Sequence, residues 1–215
     1  TITTNDDSGT DADVTIDNGT TALILAASTI DGDLTLTSGH ASGITDSGTL
    51  TVGGNLVVTT NDNSGVINLG TLAVDGTVAL TTNGSGNATV VNDAGLNLAA
   101  STVRGNLTAT ATTGNMEDSG VLTIAGTSSF TTSATDATIT LNNANAFTGT
   151  VALNTTGSSA HATVVDASGL DLGASTVGGN LVATATTGNI VDSGVLTVAG
   201  TSSFTTSQNN ADITL

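Results

Sequence analysis

The chain has 215 residues, a formal net charge of −17, a single arginine and no lysine, proline, cysteine, tryptophan or tyrosine. Without cysteine there can be no disulfide, thiolate metal site or thiol catalysis. The acidic balance argues against nucleic acid and anionic membrane surfaces as partners, since their phosphates would be repelled. Although only 1% of residues are aromatic, 37% are hydrophobic, and Val, Leu, Ile and Ala alternate with Thr, Asn and Asp. That is the chemistry of strands rather than of a disordered linker.

From the N-terminus, the first apolar run is Ala22-Leu23-Ile24-Leu25-Ala26-Ala27. It is far shorter than the roughly 20 residues of a membrane span and reads as a buried strand. Short strands follow at Leu34-Thr35-Leu36-Thr37, Leu50-Thr51-Val52, Leu122-Thr123-Ile124, Ile139-Thr140-Leu141, Val151-Ala152-Leu153 and Leu196-Thr197-Val198. Each sets apolar residues two apart on one face, with Thr or Ala between. Turn signals such as Asp192-Ser193-Gly194 and Thr186-Thr187-Gly188-Asn189 separate them. No segment carries a sustained apolar stripe of helical period, so essentially no helix is expected.

The stretch 88–141 returns as 162–215, offset by 74 positions, identical at 40 of 54 positions and without a gap. A blurred earlier copy shares Ala26-Ala27-Ser28-Thr29-Ile30 and Asp46-Ser47-Gly48, at an offset that drifts between 72 and 73. The copies are read as 14–87, 88–161 and an incomplete 162–215, in one continuous array excerpted from a longer chain. Tandem copies with small length changes indicate stacked architecture, and the fold class expected is a parallel β-helix. Echoes at a spacing of 19 suggest four coils of about 18 to 19 residues in each 74-residue copy, about eleven coils in all, in a rod of roughly 50 Å. Phe130 and Phe204 answer Val58, and Phe147 answers Val74, marking these positions as interior with some tolerance of size. Gly54-Asn55-Leu56, Gly105-Asn106-Leu107 and Gly179-Asn180-Leu181 suggest buried turn asparagines bonded to backbone, too far apart across a period to form one ladder.

The candidate chemical groups are sparse. Carbohydrate chemistry on a β-helix needs clustered carboxylates beside a cation or flanking a glycosidic bond. Only Arg104 is available, and its counterparts are Asp31 and Gly178. Asp11/Asp13 and Asp31/Asp33 resemble fragments of calcium loops and make calcium the one cofactor to consider, although the Gly- and Asp-rich nonapeptide of calcium-binding β-rolls is absent. Asp46, Asp118 and Asp192 recur, each before Ser-Gly, as a local Asx-type turn would require. His40 and His161 do not recur and read as exposed loop residues. Sequons begin at Asn18, Asn83, Asn87, Asn106 and Asn154. Thr110-Ala111-Thr112 and Thr184-Ala185-Thr186 resemble the Thr-x-Thr rows of ice-binding helices, but the strict pair recurs only at the long period. No catalytic, cofactor-binding or metal-ligating residue is assigned, and no enzyme activity is expected.

The strings Asp-Ser-Gly-x-Leu-Thr-Val-x-Gly at 192–200 and Ala-Ser-Thr-Val-x-Gly-Asn-Leu at 174–181 resemble the repeats of filamentous haemagglutinin-type proteins, large exported bacterial surface proteins. The resemblance covers essentially the whole chain in repeat style. It implies a right-handed β-helical shaft, an extracellular location at the bacterial cell surface, and roles in adhesion, biofilm or filament formation. Because that family's repeats are scaffold, no functional residue carries over. The expected role is a structural shaft continued end to end by further repeats or by another copy. The alternative is a face that binds glycans or a partner chain. Neither Thr1-Ile2-Thr3-Thr4 nor Ala211-Asp212-Ile213-Thr214-Leu215 reads as a cap.

Overall fold

The computed structural model describes residues 1–4, 11–62 and 64–215. Among these the chain winds into a β-solenoid of parallel strands without a helix. Successive sides of each coil alternate between two sheets, one of 12 strands that begins with Val14–Asp17 and one of 14 that begins with Leu23–Leu25. The main path of each sheet has ten rungs, so there are ten coils. At roughly 4.8 Å per rung they span on the order of 50 Å.

All six segments read as strands from alternation are strands or lie within one, as with Leu34–Ser38, Ile139–Phe147 and Val151–Thr156. The run at 22–27 is only partly buried, however. Leu23 and Leu25 point inward while Ile24 is 66% exposed, because a strand must turn every second side chain to the opposite face.

The coils are longer than expected. Val14 pairs with Leu34, Leu34 with Leu56 and Leu56 with Val78, successive steps of 20, 22 and 22 along the chain. Met116 pairs with Ile139, Ile139 with Ala162 and Ala162 with Leu181, steps of 23, 23 and 19. The mean is near 21, which corrects both the shorter coil suggested by the sequence echo and the count of four coils per copy. A 74-residue copy therefore makes three and a half coils, and consecutive copies sit half a turn apart. Ala88–Asn92 lies in the 14-stranded sheet, whereas its counterpart Ala162–Asp166 lies in the 12-stranded sheet. Leu107–Ala111 and Leu181–Ala185 change sheets in the same sense, and Leu96–Leu98 and Leu170–Leu172 in the reverse sense.

The core is one continuous apolar column from Leu23 to Ile190, filled by Leu, Val, Ile, Ala, Met116 and two phenylalanines. Phe130 and Phe147 meet edge to face with centroids 5.8 Å apart and planes at 66°, the geometry that ring quadrupoles favour. Both replace valines of the first copy, Val58 and Val74, so the neighbouring core places enlarged together. Phe204 also packs against the core but is only partly buried, since its strand, Ser202–Thr206, is the last rung of its sheet.

Truncating Phe130 to alanine should cost about 3–5 kcal/mol, and Phe204→Ala clearly less. Urea unfolding of the two variants should give that order. Equal costs would mean that Phe204 is as enclosed as Phe130.

Candidate functional site

The recurring polar residues converge on the joints between coils. In the string Ala-Ala-Ser-Thr, the serine sits where one side of a coil is bent into two short strands, as between Leu96–Leu98 and Ser101–Val103. The bend breaks the backbone ladder, and the serine hydroxyl repairs it. Ser101 Oγ accepts from Leu80 N–H of the preceding coil at 3.0 Å and donates to Ala99 O at 2.8 Å. Ser28 does the same with Ile2 N–H and Ala26 O, at 3.0 and 2.8 Å. Ser175 repeats it with Leu153 N–H and Gly173 O, at 3.0 and 2.9 Å. All three serines are buried, where an unbonded backbone group would be costly.

The string Asp-Ser-Gly lies one coil further on, directly over that bend. Ser28 pairs with Leu50, Ser101 with Leu122 and Ser175 with Leu196. The glycine is required by close approach. A Cβ at Gly120 would lie 2.3 Å from Ala100 N, and one at Gly194 2.2 Å from Ala174 N. The two most recognisable strings of the repeat are thus the lower and upper halves of one joint.

In two of the three Asp-Ser-Gly strings, at Asp46 and Asp118, the aspartate does not close a local Asx turn, contrary to the expectation from sequence. Its carboxylate reaches up to the next coil, where a bulge leaves N–H groups unpaired. Asp46 accepts from Gly70 N–H at 3.1 Å, Thr71 N–H at 2.7 Å and Thr71 Oγ1–H at 2.8 Å. Asp118, which is buried, accepts from Asn142 N–H at 3.0 Å and from Asn145 Nδ2 at 2.7 Å. Asn145 Oδ1 in turn accepts from Leu122 N–H at 2.8 Å. A final buried residue closes each bent side. Asn92 brackets Val74, accepting from its N–H and donating to its C=O, at 2.9 and 3.0 Å. Its counterpart Asp166 accepts from Phe147 N–H at 3.0 Å and from Ser168 N–H at 2.7 Å. Asn and Asp exchange here because both offer the acceptor oxygen that the open N–H needs.

The corner opposite the bend carries a second ladder. Asp13 Oδ1 accepts from Asp33 N–H at 2.8 Å, and Asn55 Oδ1 from Thr77 N–H at 2.9 Å. Between them Asp33 Oδ1 accepts from Asn55 N–H at 2.6 Å. Where the first copy meets the second, Asn87 accepts from Asn106 N–H and Asn106 from Thr127 N–H, at 2.8 and 2.9 Å. Where the second copy meets the third, His161 Nδ1 accepts from Asn180 N–H and Asn180 from Thr201 N–H, both at 2.9 Å. The Gly-Asn-Leu asparagines are therefore exposed rather than buried. They also join adjacent coils in a ladder, which corrects the reading of isolated turn devices. His161 is a rung of that ladder, with the imidazole nitrogen in the place of an amide oxygen. His40 Nδ1 caps its own turn by accepting from Ser42 N–H at 3.0 Å.

The remaining candidates are dispersed. Asp13 and Asp33, read as calcium-loop fragments, use their carboxylates on the corner ladder, and Asp11 is exposed. Among the described residues, no group of three or more His, Cys, Asp or Glu is placed to hold a metal. Arg104 is exposed, and its backbone N–H donates to Thr82 Oγ1 at 2.9 Å. Thr110 points outward from its strand, whereas Thr112 lies past the strand end, so they do not form a pair on one flat face. Successive coils do stack single threonines. Thr37, Thr59 and Thr81 pair in a row that continues to Thr102 and Thr123. Sequence reasoning missed this column because the coil length was wrong.

Two grooves of about 420 and 480 Å³ open at equivalent places in the second and third copies. Asn97, Asn115 and Glu117 line one, and Asp171, Asn189 and Val191 line the other.

A family model described as "Repeats of unknown function (DUF5649)" matches residues 11–69, 85–154 and 159–215. The chain belongs to that family. The three matches follow the three DUF5649 repeats legible in the sequence, and each takes in the bent joint described above. No curated protein and no solved structure matches the chain.

Gly120→Ala should be among the most destabilising substitutions of a DUF5649 repeat, since backbone atoms of the coil below occupy the space of the added methyl. Gly70→Ala should be nearly silent, because no atom lies within 4 Å of its would-be Cβ. Thermal melts of the two variants test the contrast. Ser101→Ala should cost about 1–3 kcal/mol through the unpaired Leu80 N–H, and amide exchange at Leu80 should rise with it.

Proposed function

We propose that this chain is the structural shaft of an extracellular bacterial surface adhesin or filament, an elongated spacer with no chemistry of its own. The observation that carries the reading is where the recurring residues act. Ser28, Ser101 and Ser175, Gly48, Gly120 and Gly194, and Asp46 and Asp118 all serve the contact of one coil with the next.

Differences between the copies support the same reading. Thr108 and Val182 are counterparts on the outer face, as are Glu117 and Val191, while core exchanges keep their character, as in Met116 for Ile190. The two equivalent grooves change their lining in the same way. A glycan-binding face repeated along the rod would hold its outward polar groups constant, and here several of them change, as at Asn97/Asp171, Thr108/Val182 and Glu117/Val191.

Chains carrying one and two additional 74-residue copies should appear in negative-stain electron microscopy as rods of constant width. Each copy should add roughly 17 Å, three and a half coils at about 4.8 Å. Compact particles that thicken instead of lengthening would defeat the proposal. So would tight binding of the unextended chain to surface polysaccharide on a glycan array.

A further inference from the structure

We propose that Asn83 is a site of spontaneous deamidation, set by the fold to react while the chain's other Asn-Gly pair, Asn18-Gly19, is protected. Asn83 is exposed and precedes Gly84, whose φ of 62° lies in the left-handed region. Gly84 N–H donates to the Asn83 side-chain carbonyl at 2.7 Å. One carbonyl bond of about 1.2 Å separates that oxygen from Cγ, so the Gly84 nitrogen lies no more than about 3.9 Å from Cγ, a short closure from the roughly 3–3.5 Å of an attacking geometry. Glycine offers no side chain to obstruct the approach. The leaving amide is weakly held: among the described residues its hydrogen bond is to Asn61 O and is long at 3.4 Å.

Asn18 has the same two-residue sequence and the opposite arrangement. Its Nδ2 donates to Thr21 O at 3.1 Å and to Ala22 O at 2.9 Å, fixing the amide. The nitrogen that would attack is engaged elsewhere, since Gly19 N–H donates to Asp17 Oδ1 at 2.9 Å.

The reaction needs only solvent. A base takes the Gly84 amide proton, and the nitrogen lone pair forms a bond to Asn83 Cγ. The Cγ–Nδ2 bond then breaks, and Nδ2 leaves as ammonia with the proton returned to it. The resulting succinimide is opened by water at either carbonyl, giving aspartate or isoaspartate. Isoaspartate lengthens the main chain by one atom at a corner that joins coils. There Ser64 N–H and Gly86 N–H both donate to Asn83 O, at 3.1 and 3.0 Å, and Ser64 Oγ meets Ser85 Oγ at 2.8 Å.

The test is to hold the folded chain at mildly alkaline pH and follow it by peptide mapping and ammonia release. The peptide containing Asn83 should gain one mass unit, mostly as the isoaspartyl form, several-fold faster than the peptide containing Asn18. In denaturant the two should convert at similar rates. Asn83→Gln should remove most of the early ammonia. Equal conversion of Asn18 and Asn83 in the folded chain, an intact Asn83, or undiminished ammonia from the glutamine variant would each overturn the proposal.

Discussion

Parallel stacking of coils at a spacing of about 4.8 Å is the constraint on which everything else in this chain depends. In such a stack each residue lies directly above and below a partner fixed by register, so every position must be compatible with its counterpart on the next coil. Apolar side chains satisfy this by filling the common core. Carboxylates cannot stack face to face without repulsion. In the 37–59–81–102–123 column of outer-face rungs they give way to threonine. Asp13 and Asp33, which stack on each other, sit at a corner, and each accepts an N–H from the coil above.

Corners and bends are where the backbone ladder fails, and they explain the choice of polar residues. A bent side shortens two strands and leaves N–H groups without partners. Buried N–H groups must be satisfied, so serine, aspartate or asparagine appears wherever an oxygen can reach one. The requirement is for an acceptor at a place, not for a particular residue. Asp166 can therefore stand for Asn92, and His161 can stand for Asn87. The glycine of Asp-Ser-Gly obeys the stricter rule, because only the absence of a side chain lets two bends nest.

The all-β parallel architecture was legible in the sequence because alternation and tandem copies are direct consequences of strand geometry and stacking. Coil length was not. Val177 and Leu196 are both apolar and stand at the echo spacing, yet the true pairs are Ser175 with Leu196 and Val177 with Val198, two positions further along. A shift of two residues preserves which side chains face inward, so alternation cannot distinguish the two spacings. The exchange of sheets between copies was hidden for the same reason, since both sides of the coil alternate alike. The joints were half legible. Recurrence of Asp-Ser-Gly marked it as structural, but its contact with the Ala-Ser step across one coil depends on the register that alternation leaves open. The role of Asp46 and Asp118 was misread because local turn chemistry offered a complete explanation on its own.

Three and a half coils per copy also bear on how such an array can change. Near-identical tandem copies invite unequal recombination, which inserts or removes one unit at a time. Each single event would swing every downstream copy to the opposite side of the rod, while a paired event would restore the original azimuth. A feature carried on the surface of one copy, such as the groove beside Glu117, would thus be displayed to one side or the other according to the parity of the copies before it.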